Sequence, residues 1–158
     1  EVGGDSRTLL EETGKSMVLQ KMVQQHGKEL SYLGGQMRKA GYLDEVKSIL
    51  SEFMQYDIRD SEIQEMIEDS GDRALLQMKL KDVAVLYQAF TGYLKDHYMT
   101  GEEVMDALRK ALPFSRKMKN SVLLLDGYTG FTPIQMRVVG ELLAVCEKVM
   151  VTVTMDAA

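Results

Sequence analysis

Ser121–Gln135, SVLLLDGYTGFTPIQ, is the stretch on which the fold turns. Val122 to Leu125 form an apolar run that ends on Asp126, the pattern of a strand buried in a parallel sheet with one carboxylate at its C-terminal end. That is the edge where ligands sit in open α/β sheets. Gly127 and Gly130 mark a short loop. Thr132 and Gln135 then make a T-x-x-Q capping box with Pro133 at the first helical position, so a helix starts there. It is expected to run to about Glu147. The β-branched run Val149–Thr154 reads as a second strand, and strand, helix, strand in this order is a right-handed βαβ unit. Two parallel strands cannot bury both of their faces, so the missing strands are expected in another part of a larger protein or in a second copy of this chain.

Upstream of this unit the pattern is helical. Asp5 or Ser6 is expected to cap a helix to about His26, with Leu10, Met17, Val18 and Met22 on its inner face. Gly27, Gly34, Gly35 and Gly41 divide the next stretch into short pieces. Leu43, Val46, Leu50 and Phe53 define an amphipathic helix, and Ser61 with Gln64 reads as a capping box for a short helix through Ile63, Met66 and Ile67. The longest helix is expected over 72–97, about 37 Å at 1.5 Å per residue. Leu76, Leu80, Val83, Tyr87, Phe90 and Leu94 form its packing seam, at four-three spacing. Thr100 and Glu103 cap one further helix, which Pro113 closes. The fold class is therefore mainly α: a helical bundle subdomain over 1–118, then a βαβ piece of an α/β domain over 119–158.

With 158 residues, 45% of them apolar, the chain can build a real core. A net charge of −5 argues against a surface devoted as a whole to nucleic acid, although a local basic patch can still bind it. The single cysteine, Cys146, forms no internal disulfide and no metal site alone, which fits a reducing, cytoplasmic setting. The twelve methionines, scattered at helical spacing, read as core filling. No apolar run approaches the length of a membrane span, and the N-terminus has no signal-peptide pattern. The chain opens on Glu1, which points to a piece of something larger.

Several chemical candidates are weak. Gly14-Lys15-Ser16 has the tail of a phosphate-binding loop, but the first glycine of that motif would fall on Leu9 and no strand precedes it, so Lys15 reads as a solvated helix residue. The acids Asp60, Glu62, Glu65, Glu68, Asp69 and Asp72 match no calcium loop and read as a solvated face. His26 and His97 each stand without a ligand partner at metal spacing. The strongest concentration of charge is Arg109, Lys110, Arg116, Lys117 and Lys119, five cations within eleven residues, with Phe114 among them. Two readings fit equally: contacts to nucleic-acid phosphates, or a solvated connector that guards an apolar strand against aggregation.

The order strand, acid, loop, capped helix resembles the Walker B segment of superfamily I DNA helicases, in which the Asp associates with Mg²⁺ and the following Glu orients the attacking water. Here Gly127 stands in the place of that Glu, while Tyr128, Thr132, Pro133 and Gln135 keep the pattern. The form D-G-Y-T-G-F-T-P-x-Q followed by V-x-V-T-V-T is similar to the B subunits of bacterial ATP-dependent helicase/deoxyribonucleases, the AddB family. The helical stretch, with E-x-G-K-x-M over Glu12–Met17, resembles that family's inserted helical subdomain. The resemblance implies a segment of the N-terminal, helicase-like half, with a P-loop-type α/β core. It implies a parent that works with a helicase/nuclease A subunit on DNA double-strand ends, uses Mg²⁺ and ATP, and carries a 4Fe-4S cluster outside this segment. Asp126 and Gln135 would then be the nucleotide- and Mg²⁺-associated residues of a degenerate Walker B, with no catalytic residue and no metal ligand set in the chain itself. From the residues alone, a freestanding helical interaction module that dimerises through its βαβ end also fits, as does an active ATPase using Asp126.

Overall fold

The computed structural model describes residues 7–39 and 41–154, so the expected caps Asp5 and Ser6 lie outside the described residues. In chain order the elements are β1 (Thr8–Leu9), α1 (Glu12–His26), α2 (Leu33–Gln36), α3 (Tyr42–Gln55), α4 (Asp60–Asp69), α5 (Ala74–His97), β2 (Tyr98–Met99) and α6 (Gly101–Ala111). A 3₁₀ turn (Leu112–Phe114), α7 (Arg116–Lys119), β3 (Val122–Tyr128), α8 (Pro133–Val145) and β4 (Lys148–Val153) follow. The described residues are mainly helical, with two parallel strand pairs, β1 with β2 and β3 with β4. By their contacts they form two compact units, Arg7–Thr100 and residues 101–154.

In the first unit α5 is the spine. Val83, Tyr87, Phe90 and Leu94 of the expected seam are buried, while Leu76 and Leu80 are only half-buried. Leu86, which the seam omits, is fully buried. The reason is that α5 packs against both α1 and α4, so it needs a wider apolar stripe than a single seam supplies. Tyr87 also packs edge-on against Phe53 of α3, with ring centroids 5.6 Å apart, and donates a hydrogen bond to the Ile58 carbonyl at 3.1 Å. Arg7 closes the far end of α5, donating to the carbonyls of Lys95 and Tyr98, both at 3.0 Å. Those are among the carbonyls that a helix C-terminus leaves without partners.

The same helix buries an acid. Asp82 is 2% exposed, and its carboxylate accepts N–H bonds from Ser31 at 2.9 Å and from Tyr32 and Leu33 at 2.7 Å each. These amides lead into α2 and have no partner within that short helix, so a carboxylate from a different helix does the capping. The next turn is tight as well: a Cβ at Gly34 would lie 2.9 Å from the Gly27 carbonyl oxygen, a contact with backbone that cannot move aside cheaply.

Three expectations are corrected here. The N-terminal helix starts at Glu12, after the short strand β1, and Met17 points outward at 68% exposure while Leu19 is fully buried. The start of α4 is set by Arg59, whose N–H donates to Glu62 Oε2 at 2.8 Å, so the reach-back cap falls two residues before the Ser61–Gln64 pair. A carboxylate at the third helical position outcompetes the later serine because it reaches back to an orphan amide. Met66 is more exposed than the inner-face reading requires.

The second unit has a small core of Leu112, Val138 and Leu142, with Met105, Met118, Leu123, Cys146 and Val149 packed on it. Leu123 and Val149 thus face α8, while Val122 and Leu124 point the other way and are each 58% exposed. The burial expected for this strand is supplied on one face only among the described residues.

Replacing Asp82 with Ala should leave three amides, one buried and two partly buried, without their acceptor, and lower the unfolding free energy by about 3 kcal/mol, read as a lower urea midpoint at unchanged slope. Asp82→Asn keeps one acceptor and should fall between the two. Equal midpoints for all three proteins would show that the loop is held by its apolar contacts alone.

Candidate functional site

The C-terminal end of β3 is built around an irregularity. Leu125 pairs with Val151 and Tyr128 with Val153, so Asp126 and Gly127 together oppose Thr152, a β-bulge in a parallel pair. Gly127 has φ +76°, and a Cβ built there would meet nothing within 4 Å, so glycine is required for its backbone angle and not for space. Thr152 Oγ1 ties the bulge together: it accepts the Gly127 N–H at 3.2 Å and donates to Asp126 Oδ1. The Asp126 carboxylate is exposed on the strand face turned from α8, and one of its oxygens is engaged in this bridge. Beyond it, the Tyr128 and Phe131 rings stack with centroids 4.8 Å apart. Gln135 Oε1 accepts the Thr132 N–H at 2.9 Å, the reach-back half of the capping box. The sequence shows Asp126 and Gln135; it does not show Thr152, whose role depends on a register that only strand pairing fixes. A glycine inside a strand is the available signal for the bulge.

The residues present do not by themselves fit the groups that the resemblance implies. Among the described residues no three His, Cys, Asp or Glu side chains gather where they could hold a metal ion, and Cys146 is the chain's one cysteine. One exposed aspartate, already bridged to a threonine, is not by itself a Mg-nucleotide site, and one cysteine is not a cluster site.

The basic stretch separates into two parts. Arg109 of α6 pairs with Asp106 at 3.1 Å and with Glu141 of α8 at 3.4 Å, and Lys110 pairs with Asp106 at 2.6 Å. The Lys110 ammonium, and then the Arg109 guanidinium, hold the Asp106 carboxyl below its usual value. A depressed carboxylate pKa means that this cluster is intact at neutral pH and comes apart only as acid titrates Asp106. Arg116, Lys117 and Lys119 of α7 are exposed and have no ion-pair partner among the described residues. Phe114, beside them, is 77% exposed.

In the first unit, Lys15 is a correction to the sequence reading. Its side chain is 8% exposed and pairs with Glu12 at 3.0 Å, while Lys47 of α3 reaches Glu12 at 3.7 Å and Ser16 Oγ at 3.1 Å. The Lys15 ammonium, first of several causes, pulls the Glu12 carboxyl down. Lysine buries its stem and keeps its head paired, so a polar letter inside a helix need not be solvated. No phosphate-binding loop forms, since these residues lie within α1.

The family described as "ADDB, N-terminal" matches the chain over residues 1–158. Curated relatives are named as B subunits of ATP-dependent helicase/deoxyribonucleases. That of Lachnoclostridium phytofermentans is 40% identical over 156 residues, covering 99% of this chain and 14% of its own length. That of Caldanaerobacter subterraneus subsp. tengcongensis is 33% identical over 99% of the chain, and that of Bacillus subtilis 31% over 98%. The chain spans about 14% of the length of these relatives.

The bulge gives an ordering. Gly127→Ala and Gly127→Glu should each lower stability by about 1–2 kcal/mol through left-handed strain, and Gly127→Asn by less, because asparagine tolerates that region. Thermal unfolding of the four proteins checks it; an alanine variant as stable as the parent would remove the backbone requirement.

Proposed function

This chain belongs to the AddB N-terminal family, and from that premise we propose that it is the segment of a helicase/deoxyribonuclease B subunit that frames a degenerate motor site and contacts DNA. On this reading β3, α8 and β4 are a piece of a P-loop-type, superfamily I helicase-like α/β domain, and residues before them form its inserted helical part. The parent, with an A subunit, processes DNA double-strand ends for recombinational repair. Mg²⁺, ATP and a 4Fe-4S cluster belong to the parent outside this segment.

The observation that carries the reading is the bulge at Asp126–Gly127. In the Walker B segment that this stretch resembles, a second acid directly after the aspartate orients the attacking water. Here that position has a positive φ and no side chain, and the preceding carboxylate is bridged to Thr152. The frame of a motor strand is kept while its water-activating group is absent, so hydrolysis falls to other parts of the assembly. Asp126 and Gln135 keep their places in the pattern as structural members, one bridging strands and the other capping α8.

For DNA, the reading rests on Arg116, Lys117 and Lys119, which are exposed and have no ion-pair partner among the described residues. Arg109 and Lys110 are engaged by Asp106 and Glu141 and contribute less net field.

In the complete two-subunit complex, Arg116→Glu, Lys117→Glu and Lys119→Glu together should weaken DNA binding. They should also flatten the plot of log affinity against log salt by roughly two to three units, one per lost phosphate contact. Arg109→Gln should leave that slope nearly unchanged. A slope that survives the triple reversal would return these residues to the role of solvated connector.

A further inference from the structure

Phe114 has the highest exposure among the large apolar side chains of the described residues, 77%. Its position is not that of a loose loop. Leu112, two residues before it, and Met118, four after, are both anchored in the core of the second unit. Between them the Ser115 N–H donates to the Leu112 carbonyl at 3.0 Å, and the Ser115 hydroxyl accepts the Met118 N–H at 3.4 Å. Ser121 then closes the segment on the Met118 carbonyl, by N–H at 3.1 Å and by hydroxyl at 2.8 Å. A pinned turn therefore holds an aromatic ring outward, and its ring meets no other aromatic ring or cation among the described residues. The next turn carries Arg116, Lys117 and Lys119, all exposed.

We propose that Phe114 is a stacking platform for an unpaired nucleobase and that, with Arg116, Lys117 and Lys119 on the adjoining phosphates, it forms a binding subsite for single-stranded nucleic acid. The proposal rests on the phosphate-contact reading of those three cations and adds to it a strand type and a base contact. Charge complementarity selects the occupant: three exposed cations with no carboxylate partner among the described residues ask for a polyanion. The ring then selects the form of that polyanion. A base in a duplex offers only its edge, whereas an unpaired base offers a face to an aromatic ring, and such stacking is tolerant of sequence. The segment is ordered by its own hydrogen bonds before any ligand arrives, so little ordering cost falls on binding.

The test uses the complete two-subunit complex, a labelled oligothymidylate carrying one photoreactive iododeoxyuridine, and a blunt duplex as the second ligand. Irradiation should cross-link the oligothymidylate to the peptide containing Phe114. Phe114→Ala should cut that yield and weaken single-strand binding by about fivefold or more, with the salt slope unchanged. Duplex affinity should stay within about twofold, and Phe114→Trp should restore single-strand binding. If Phe114→Ala leaves affinity and cross-linking unchanged while the triple charge reversal flattens the slope, stacking is wrong and the phosphate reading stands. If neither variant has any effect, both readings fall. If Phe114→Ala instead lowers recovery of the partner subunit or the unfolding temperature at constant affinity, the ring packs on protein and the proposal is overturned.

Discussion

A buried carboxylate with no ion-pair partner among the described residues has to be satisfied by something, and at Asp82 that something is the backbone of another element. Three N–H groups at 2.7–2.9 Å converge on it from residues 31–33. The cost of desolvating the charge is offset only while all three amides stay in place, which makes the geometry close to all-or-none. The turn after α1 is thereby fastened to α5, and with it the direction in which α2 leaves. The apolar contacts of Leu30 and Leu33 with the same core are non-directional and do not by themselves select a register. The carboxylate accepts only one.

A different constraint governs the second unit. A pair of parallel strands has two faces, and a single helix covers one. Leu123 and Val149 turn toward α8, leaving Val122, Leu124 and Met150 of the other face open to 40–58% exposure. The unit is held by the helix side: Leu112, Val138 and Leu142 interlock, and Arg109 of α6 crosses to Glu141 of α8. This explains where its charge went. Asp106 of α6 engages both first cations of the basic stretch and Glu141 of α8 draws Arg109 across to join the two helices, so among the described residues of the stretch it is the turn after them that presents unpaired charge.

Much of this was legible because it depends on local chemistry. Thr132, Pro133 and Gln135 announce the start of α8 by capping rules alone, and the four-three spacing of Val83, Tyr87, Phe90 and Leu94 marks the spine. What was not legible depends on pairing across the chain. Asp82 looks like any polar letter between Lys81 and Val83 until α2 is folded against it. Lys15 reads as solvated until Glu12 and Lys47 close around its ammonium. Thr152 has no visible task until the register places it opposite two residues at once. At the basic stretch the count of cations was readable but their neutralisation was not, since Glu141 lies thirty-two positions beyond Arg109.

Gly127 joins these two levels. Read as a letter, it stands where the Walker B resemblance leads one to expect an acid. In the fold it is a residue with φ +76° at the centre of a bulge, its N–H held by the same threonine hydroxyl that holds Asp126. A glutamate at that point would have to adopt a left-handed backbone or abolish the bulge, and abolishing it would shift the register of every residue beyond. On the proposed reading, the absence of the second acid and the shape of the strand are therefore one feature. On the proposed reading, adding the side chain alone would not supply the chemistry, because the backbone that would carry it is left-handed and serves the sheet.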